Sequence, residues 1–271
     1  MPVKSEPLPS IVYSCYFNVS RAGEQFVPDH IFSYQLSGSM VVNYGENDYL
    51  FNEGDFRFSR RNCLARFIKR PGVNGDFKTL AIRFDQDTLR EFSAEYGYSA
   101  GKPHSAHPIV QLQPVKAYRD FVDSLIPYLL ADQQMDQALI KLKLKEALLI
   151  LLKFNPELKD VLFDFSEPGK IDLEGFMEKN FQFNVGLNRF AYMTGRSLAT
   201  FKRDFQKIYQ QSPSRWLVKR RLQEAHYQIK HGKRPSEVYY NLGFEDFSHF
   251  SQAFRQLYGV SPSKLTTVQS P

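Results

Sequence analysis

Arginine, lysine, glutamine and serine side chains stand opposite paired aromatic residues in the last third of this chain, and they do so twice. Residues 200–216 read TFKRDFQKIYQQSPSRW and residues 249–265 read HFSQAFRQLYGVSPSKL. At a constant offset of 49, Phe201 pairs with Phe250, Phe205 with Phe254, Ile208 with Leu257 and Tyr209 with Tyr258. Ser212-Pro213-Ser214-Arg215 pairs likewise with Ser261-Pro262-Ser263-Lys264. Turning about 100° per residue from Phe201, the far face of a helix holds Arg196, Ala199, Arg203 and Gln206, with Lys202 on the flank. From Phe250 it holds Ser248, Gln252 and Arg255, with Ser251 on the flank. These groups hydrogen-bond to oxygen and nitrogen acceptors, and no Ser-His-Asp or Cys-His constellation accompanies them. The chemistry is recognition, not bond making.

The elements that position these groups follow from the same residues. In each copy, apolar residues recur at i, i+4 and i+7, which predicts one buried helix face made of Phe201, Phe205 and Ile208, then of Phe250, Phe254 and Leu257. A shorter helix and a turn precede each. Leu187–Met193 leads through Thr194-Gly195-Arg196 to Ser197 as cap, and Pro235–Leu242 leads through Gly243-Phe244 to Glu245-Asp246 at the second helix start. Helix, glycine turn, helix is the helix-turn-helix pattern. Between the copies, Ser212 as cap and Pro213 at the first position open a helix that runs to about His231, where Gly232 ends it. Its expected buried stripe is Val218, Leu222, Ala225 and Ile229. Such a helix spans ~28 Å, close to the ~34 Å between successive major-groove faces of double-stranded DNA. Two polar reading faces in matching register therefore point to DNA, with a slight shortfall that favours bending it. Lys219, Arg220 and Arg221, with Lys233 and Arg234, are candidates for phosphate contacts, as are Arg196, Arg215, Arg255 and Lys264.

Charge supports that partner. The 271 residues carry 35 Lys/Arg and 29 Asp/Glu. From Ile171 onward there are 15 basic and 8 acidic residues, net +7, which leaves the first 170 residues at −1. The excess sits on the half that carries the repeat. No apolar run approaches the ~20 residues that span a bilayer, and the N-terminus lacks a signal-peptide core, so neither membrane nor export is expected. Cys15 and Cys63 provide no disulfide framework and are expected as two free, buried thiols in a reducing cytoplasm.

The first hundred residues read as short strands: 11–18, 30–36, 40–44, 49–51, 55–59, 65–69 and 77–84. Turn signals at Ser37-Gly38, Gly45-Glu46-Asn47-Asp48, Glu53-Gly54-Asp55 and Pro71-Gly72 separate them, which suggests a small barrel or sandwich. A polar stretch from Tyr98 to Gln113 follows. Two helices come next, 115–131, which Pro127 should end or kink, and 136–154. The second is rich in leucine, and Leu139, Leu142, Leu148 and Leu152 are candidates for self-association into a dimer. The domains expected are 1–155, a linker over 156–170 and a DNA-binding part over 171–267.

Residues 171–267 resemble the AraC/XylS family of transcription regulators. The likeness is strongest over Val238–Lys264, where Gly243-Phe244, Phe250, Phe254, Gly259, Ser261 and Pro262 match the family's phrase, and in the linker-helix run Arg221-Leu222-Gln223-Glu224-Ala225. Tyr239 departs from the small residue usual there, and Gln210-Gln211 replaces a usual glycine. The resemblance places base reading on Ala199, Thr200, Lys202 and Arg203, and on Ser248, His249, Ser251 and Gln252. It implies an α+β protein: an N-terminal cupin-like β-barrel with a helical dimerisation pair, then an all-α domain with two helix-turn-helix units joined by a linker helix. It also implies an activator that recruits RNA polymerase under control of a small-molecule or protein effector. A metal-binding cupin would need converging histidines, and the strand region holds His30 alone. His104 and His107 are expected at the surface, and no metal or cofactor is expected. A cupin-type enzyme and a protein-binding adaptor are the rival classes.

Overall fold

Alternation of aromatic and polar residues with a period of two organises the first half of the chain. The computed structural model describes residues 9–20, 25–45, 47–101, 107–130 and 135–267. Glu46 of a predicted turn, His104 and Ala131 lie outside the described residues. The strands are β1 (Ile11–Tyr16), β2 (Phe26–Val27), β3 (His30–Ser37), β4 (Ser39–Tyr44), β5 (Asn47–Phe51), β6 (Phe56–Ser59), β7 (Cys63–Leu64), β8 (Arg66–Arg70) and β9 (Phe77–Phe84). After helix α1 (Gln86–Tyr96) comes β10 (Ile109–Leu112), then α2 (Lys116–Leu130), α3 (Gln137–Phe154), a 3-10 turn (Pro156–Leu158) and α4 (Lys159–Leu162). The described strands form a five-stranded sheet in the order β1-β9-β3-β6-β10, a three-stranded sheet β5-β4-β8 and a pair β2-β7, not one closed ladder.

The pleat sends alternate residues to opposite faces. Phe32, Phe56, Phe58, Leu80, Ile82 and Phe84 project from one face of the large sheet into a core shared with α1, α2, α3 and α4. A second core holds Phe77 and Ile109 of the large sheet with Met40, Val42 and Phe51 of β4 and β5. Several expectations change here. Helix α1 and strand β10 were not anticipated, and α2 continues past Pro127. The first part of the stretch expected as a linker, 156–162, is helical, and Leu158, Val161, Leu162 and Phe163 are buried in the first core. The chain accordingly divides at Ser166, with Gln25 and Phe26 grouped with the second unit. Cys63 is buried and its thiol is pushed up to about 12 by that burial, whereas Cys15 is exposed. Leu148 and Leu152 are buried in their own unit's core and present nothing to a partner, while Leu142 is 63% exposed. Apolar residues on three sides of α3 read alike in a sequence, and only the packed sheet decides which side is inside.

The second unit is helical: α5 (Leu173–Asn180), α6 (Leu187–Met193), α7 (Leu198–Tyr209), α8 (Pro213–Lys230), α9 (Pro235–Asn241), α10 (Phe247–Tyr258) and α11 (Pro262–Thr267). Fully buried Phe201, Phe205, Phe250 and Phe254 form its centre. Ile208, Leu257 and Val218, expected inside, are instead 43%, 44% and 43% exposed. The inner face of each reading helix ends one position later, on Tyr209 and Tyr258, both half-buried.

Leu148→Ala should cost about 2–5 kcal/mol, since its methyl groups leave a cavity in a close-packed core. Leu142→Ala should stay within about 0.5 kcal/mol of the parent. Urea unfolding of the full chain compares the two.

Candidate nucleic-acid interface

Each reading helix is launched by a side-chain cap and a glycine turn. Ser197 Oγ accepts from the N–H of Thr200 at 3.2 Å and opens α7. Asp246 Oδ1 accepts from the N–H of His249 at 2.9 Å and opens α10, and that bond holds its carboxyl below the ordinary carboxylate range. Ser212 occupies the cap position of α8 without a side-chain bond, so only the Pro213 part of that expectation holds. Gly195 and Gly243 both adopt positive φ, 64° and 77°. A Cβ on Gly195 would lie 2.3 Å from the Gly169 carbonyl carbon, and one on Gly243 would lie 2.7 Å from the Gln182 oxygen. The turns are therefore fixed by close backbone approach as well as by φ.

Helix α8 holds both reading helices by contacts at equivalent positions of the repeat. Trp216, near its start, packs on Phe205 at 5.5 Å and Tyr209 at 4.7 Å. His226, further along, stacks on Tyr258 at 4.4 Å and Phe254 at 6.2 Å. The partners are the same two positions of the repeat. Arg221 lies between these clamps and is 8% exposed. It donates Nε to Phe181 O at 2.7 Å, Nη2 to Phe183 O at 2.8 Å and Nη1 to Gly243 O at 3.0 Å. Burial lowers its pKa to about 10, which leaves it charged at neutral pH.

The predicted readers fall as follows. Ala199, Lys202, Arg203 and Gln206 are exposed on α7, and Thr200 is half-buried with its Oγ1 accepting from Ser197 Oγ. On α10, Ser248, Ser251, Gln252 and Arg255 line one open groove with Phe247, Gln256 and Ser261. His249 is exposed outside that groove. Gln256 was not anticipated as part of it; its place one turn after Gln252 was the available signal. Arg215 and Lys219 are exposed along a second groove, shared by α8, the end of α7 and α10, together with Val218 and Leu257. Lys264 is exposed on α11.

Three arginines offered as phosphate contacts are occupied inside the protein. Arg196, with its side chain 7% exposed, donates to the Asp204 carboxylate at 3.2 Å and to the carbonyls of Ile171 and Thr194. The hydrogen bond from Arg196 holds Asp204 below the usual carboxylate range. Arg220 pairs with Glu178 at 2.9 Å and Glu224 at 3.4 Å and lies over the Phe181 ring. Arg221 is the staple just described. A helical wheel counts charges on a face, but it carries no information about carboxylates and carbonyls brought there from elsewhere.

Two helix-turn-helix units on one connecting helix, with polar outer faces in matching register, define a DNA-binding module. Residues 190–267 match the family described as "Helix-turn-helix domain", and residues 30–161 match the "ExsA N-terminal regulatory domain". The chain is 30% identical over 239 residues to the virulence regulon transcriptional activator VirF of Yersinia enterocolitica serotype O:8, covering 84% of this chain and 86% of that protein. It is 24% identical over 257 residues to the HTH-type transcriptional regulator ExsA of Pseudomonas aeruginosa, covering 93% and 91%. With the thermoregulatory protein LcrF of Yersinia pestis it shares 27% identity over 237 residues, covering 84% and 86%. The chain belongs to the AraC/XylS family of transcription regulators. It is a DNA-binding regulator and not an enzyme.

Two substitutions probe the scaffold. Arg221→Ala should destabilise the second unit by about 3–5 kcal/mol, because three carbonyls lose a charged donor. Gln210 occupies the left-handed region at φ 53°, at the position where the second copy has Gly259. Gln210→Gly should add about 0.5–1 kcal/mol. Thermal unfolding of the full chain checks both signs.

Proposed function

We propose that this chain is a transcriptional activator that inserts α7 and α10 into two successive major grooves of one DNA site. The equivalent aromatic clamps on α8 carry this reading, because they fix two polar helix faces to one rigid spacer. Its 18 residues amount to ~27 Å, so the site bends modestly toward the protein. Lys202 and Arg203 give the first helix-turn-helix a charged face, where the second has Ser251 and Gln252. The half-sites are accordingly unequal, with more of the salt-dependent affinity on the first. Ala199, Thr200, Gln206, Ser248 and His249 complete the base-reading set. Arg215, Lys219, Arg255 and Lys264 contact phosphate.

The first unit is the regulatory part, a cupin-like arrangement of two facing sheets that answers to a small-molecule or protein effector. Dimerisation uses the outer side of α3, where Leu142 and Leu149 are 63% and 40% exposed and Leu139 is half-exposed. RNA polymerase is the downstream partner, as the word activator in a relative's name suggests, and the working compartment is the cytoplasm.

Arg203→Ala should relax preference at one base pair by ~1–3 kcal/mol. Lys219→Ala should weaken all sequences alike and reduce the salt slope by about one. Arg220→Ala should leave that slope unchanged. Operator and random DNA are titrated with the full chain at two salt concentrations; failure to discriminate between them would sink the proposal. Leu142→Glu with Leu149→Glu should convert a dimer to a monomer in sedimentation at micromolar concentration, and an unaltered dimer would relocate the interface.

A further inference from the structure

Five residues that precede α5, Glu167 to Ile171, lie as a strap along the turn of the first helix-turn-helix. Tyr192 of α6 donates its hydroxyl to the Glu167 carboxylate at 2.6 Å. The Gly169 carbonyl oxygen and Lys170 N come so close to Gly195 that a Cβ there would lie 2.4 and 2.5 Å from them. Arg196, buried just before the cap of the reading helix, donates Nη1 to the Ile171 carbonyl at 3.0 Å. The next residue, Asp172, caps α5 and accepts from the N–H groups of Glu174 at 3.1 Å and Gly175 at 3.0 Å. The backbone is thus held on both sides of Lys170, the only lysine or arginine of the strap. Its side chain is 67% exposed, with Nζ 3.9 Å from Asp204 Oδ2, and Arg203 Nε lies 3.9 Å from Asp204 Oδ1.

Asp204 cannot neutralise Arg196, Lys170 and Arg203 together. Its hydrogen bond goes to Arg196 at 3.2 Å, a guanidinium whose burial makes a counter-ion necessary. The two contacts at 3.9 Å are beyond hydrogen-bond length, and they belong to the two cations that reach solvent. One carboxylate among three cations leaves a positive excess on Lys170 and Arg203. An exposed ion pair at that distance adds little to stability, so the fold alone does not account for the lysine. The cluster instead sets a positive field beside a reader. A backbone already fixed by close packing also spares the entropy that ordering a free tether on binding would cost. Lysine meets phosphate as a point charge and positions without reading sequence. On the reading that α7 enters the major groove, we propose that Lys170 contacts a DNA phosphate beside the base pair that Arg203 reads. The strap then belongs to the DNA interface, although it lies before the first helix-turn-helix. A charge count begun at Ile171 leaves this lysine out, and its place is set by a glycine turn distant in sequence.

The full chain is titrated with operator DNA between about 50 and 200 mM salt. Lys170→Ala should lower the slope of log affinity against log salt by about one, so that it loses roughly threefold less affinity over that range than the parent. Its preference for operator over random DNA should match the parent's, and Lys170→Arg should keep the parent's slope. Neutral methylphosphonates placed at single phosphates locate the contact. At one position beside the base pair read by Arg203, the parent should weaken and Lys170→Ala should not. A parental slope for Lys170→Ala, or a methylphosphonate profile identical with the parent's, overturns the assignment. Arg203→Ala, titrated alongside, separates the two readings. If it loses base preference while Lys170→Ala matches the parent, α7 reads DNA and only the strap's role falls. If neither variant alters binding, the reading of α7 falls and the Lys170 contact with it.

Discussion

Everything the DNA-binding unit can do depends on one guanidinium. Arg221 leaves the middle of α8 and ties the carbonyls of Phe181 and Phe183, before the first helix-turn-helix, to that of Gly243, in the turn of the second. Those carbonyls belong to non-helical segments, where no helix or strand ladder supplies their donors. A neutral side chain could not supply three donors in a planar fork, and a lysine could not hold their directions. Gly243 carries no side chain for the same reason: a Cβ there would lie 3.0 Å from Arg221 Cζ. The staple and the glycine turn are one device, and the orientation of α10 against α8 follows from it.

The aromatic clamps then set the spacing. Trp216 and His226 are ten residues apart, about 15 Å along a helix, and each receives the second phenylalanine and the tyrosine of its own reading helix. Repeating the same contact at two points of one rigid rod keeps the two polar faces in a constant relation. This also explains why the outer residues are free to differ. Lys202 and Arg203 against Ser251 and Gln252 change what is read and how strongly salt affects it, without touching the contacts that hold the helices.

Much of this was legible because the aromatic anchors are local and periodic. Phe201, Phe205, Phe250 and Phe254 announce two helices with one buried side each, and Ser197, Asp246, Gly195 and Gly243 announce where they begin and turn. What was not legible depends on partners distant in sequence. Arg196 looked like a reader until Asp204 and two carbonyls were found around it. Leu148 and Leu142 are both leucines of α3, yet only the sheet packed beneath decides that one is core and the other surface. Helix α4 hides in a stretch with Pro156 and Pro168, where turn signals outweigh the short run Leu158, Val161, Leu162, Phe163 that the core absorbs. Helix α1 did carry local signals, with Asp85 as its cap, Gly97 at its end and Leu89 and Phe92 on its buried side.

Two buried arginines show why burial alone does not reveal a residue's work. Arg221 and Arg57 are 8% and 4% exposed, and burial brings both to about 10. Arg221 meets three backbone oxygens within 3.0 Å, so its charge is spread over dipoles that needed donors in any case. Arg57 meets one threonine hydroxyl at 3.4 Å and lies over the Phe51 ring at 5.3 Å. A fold selected for stability alone would do better with a methionine of similar volume at Arg57, because apolar replacements of buried charges are often neutral or favourable. No such replacement exists for Arg221, whose removal takes a charged donor from three carbonyls at once. The first arginine ties backbone segments together through three carbonyls, whereas the second rests on one ring and one hydroxyl.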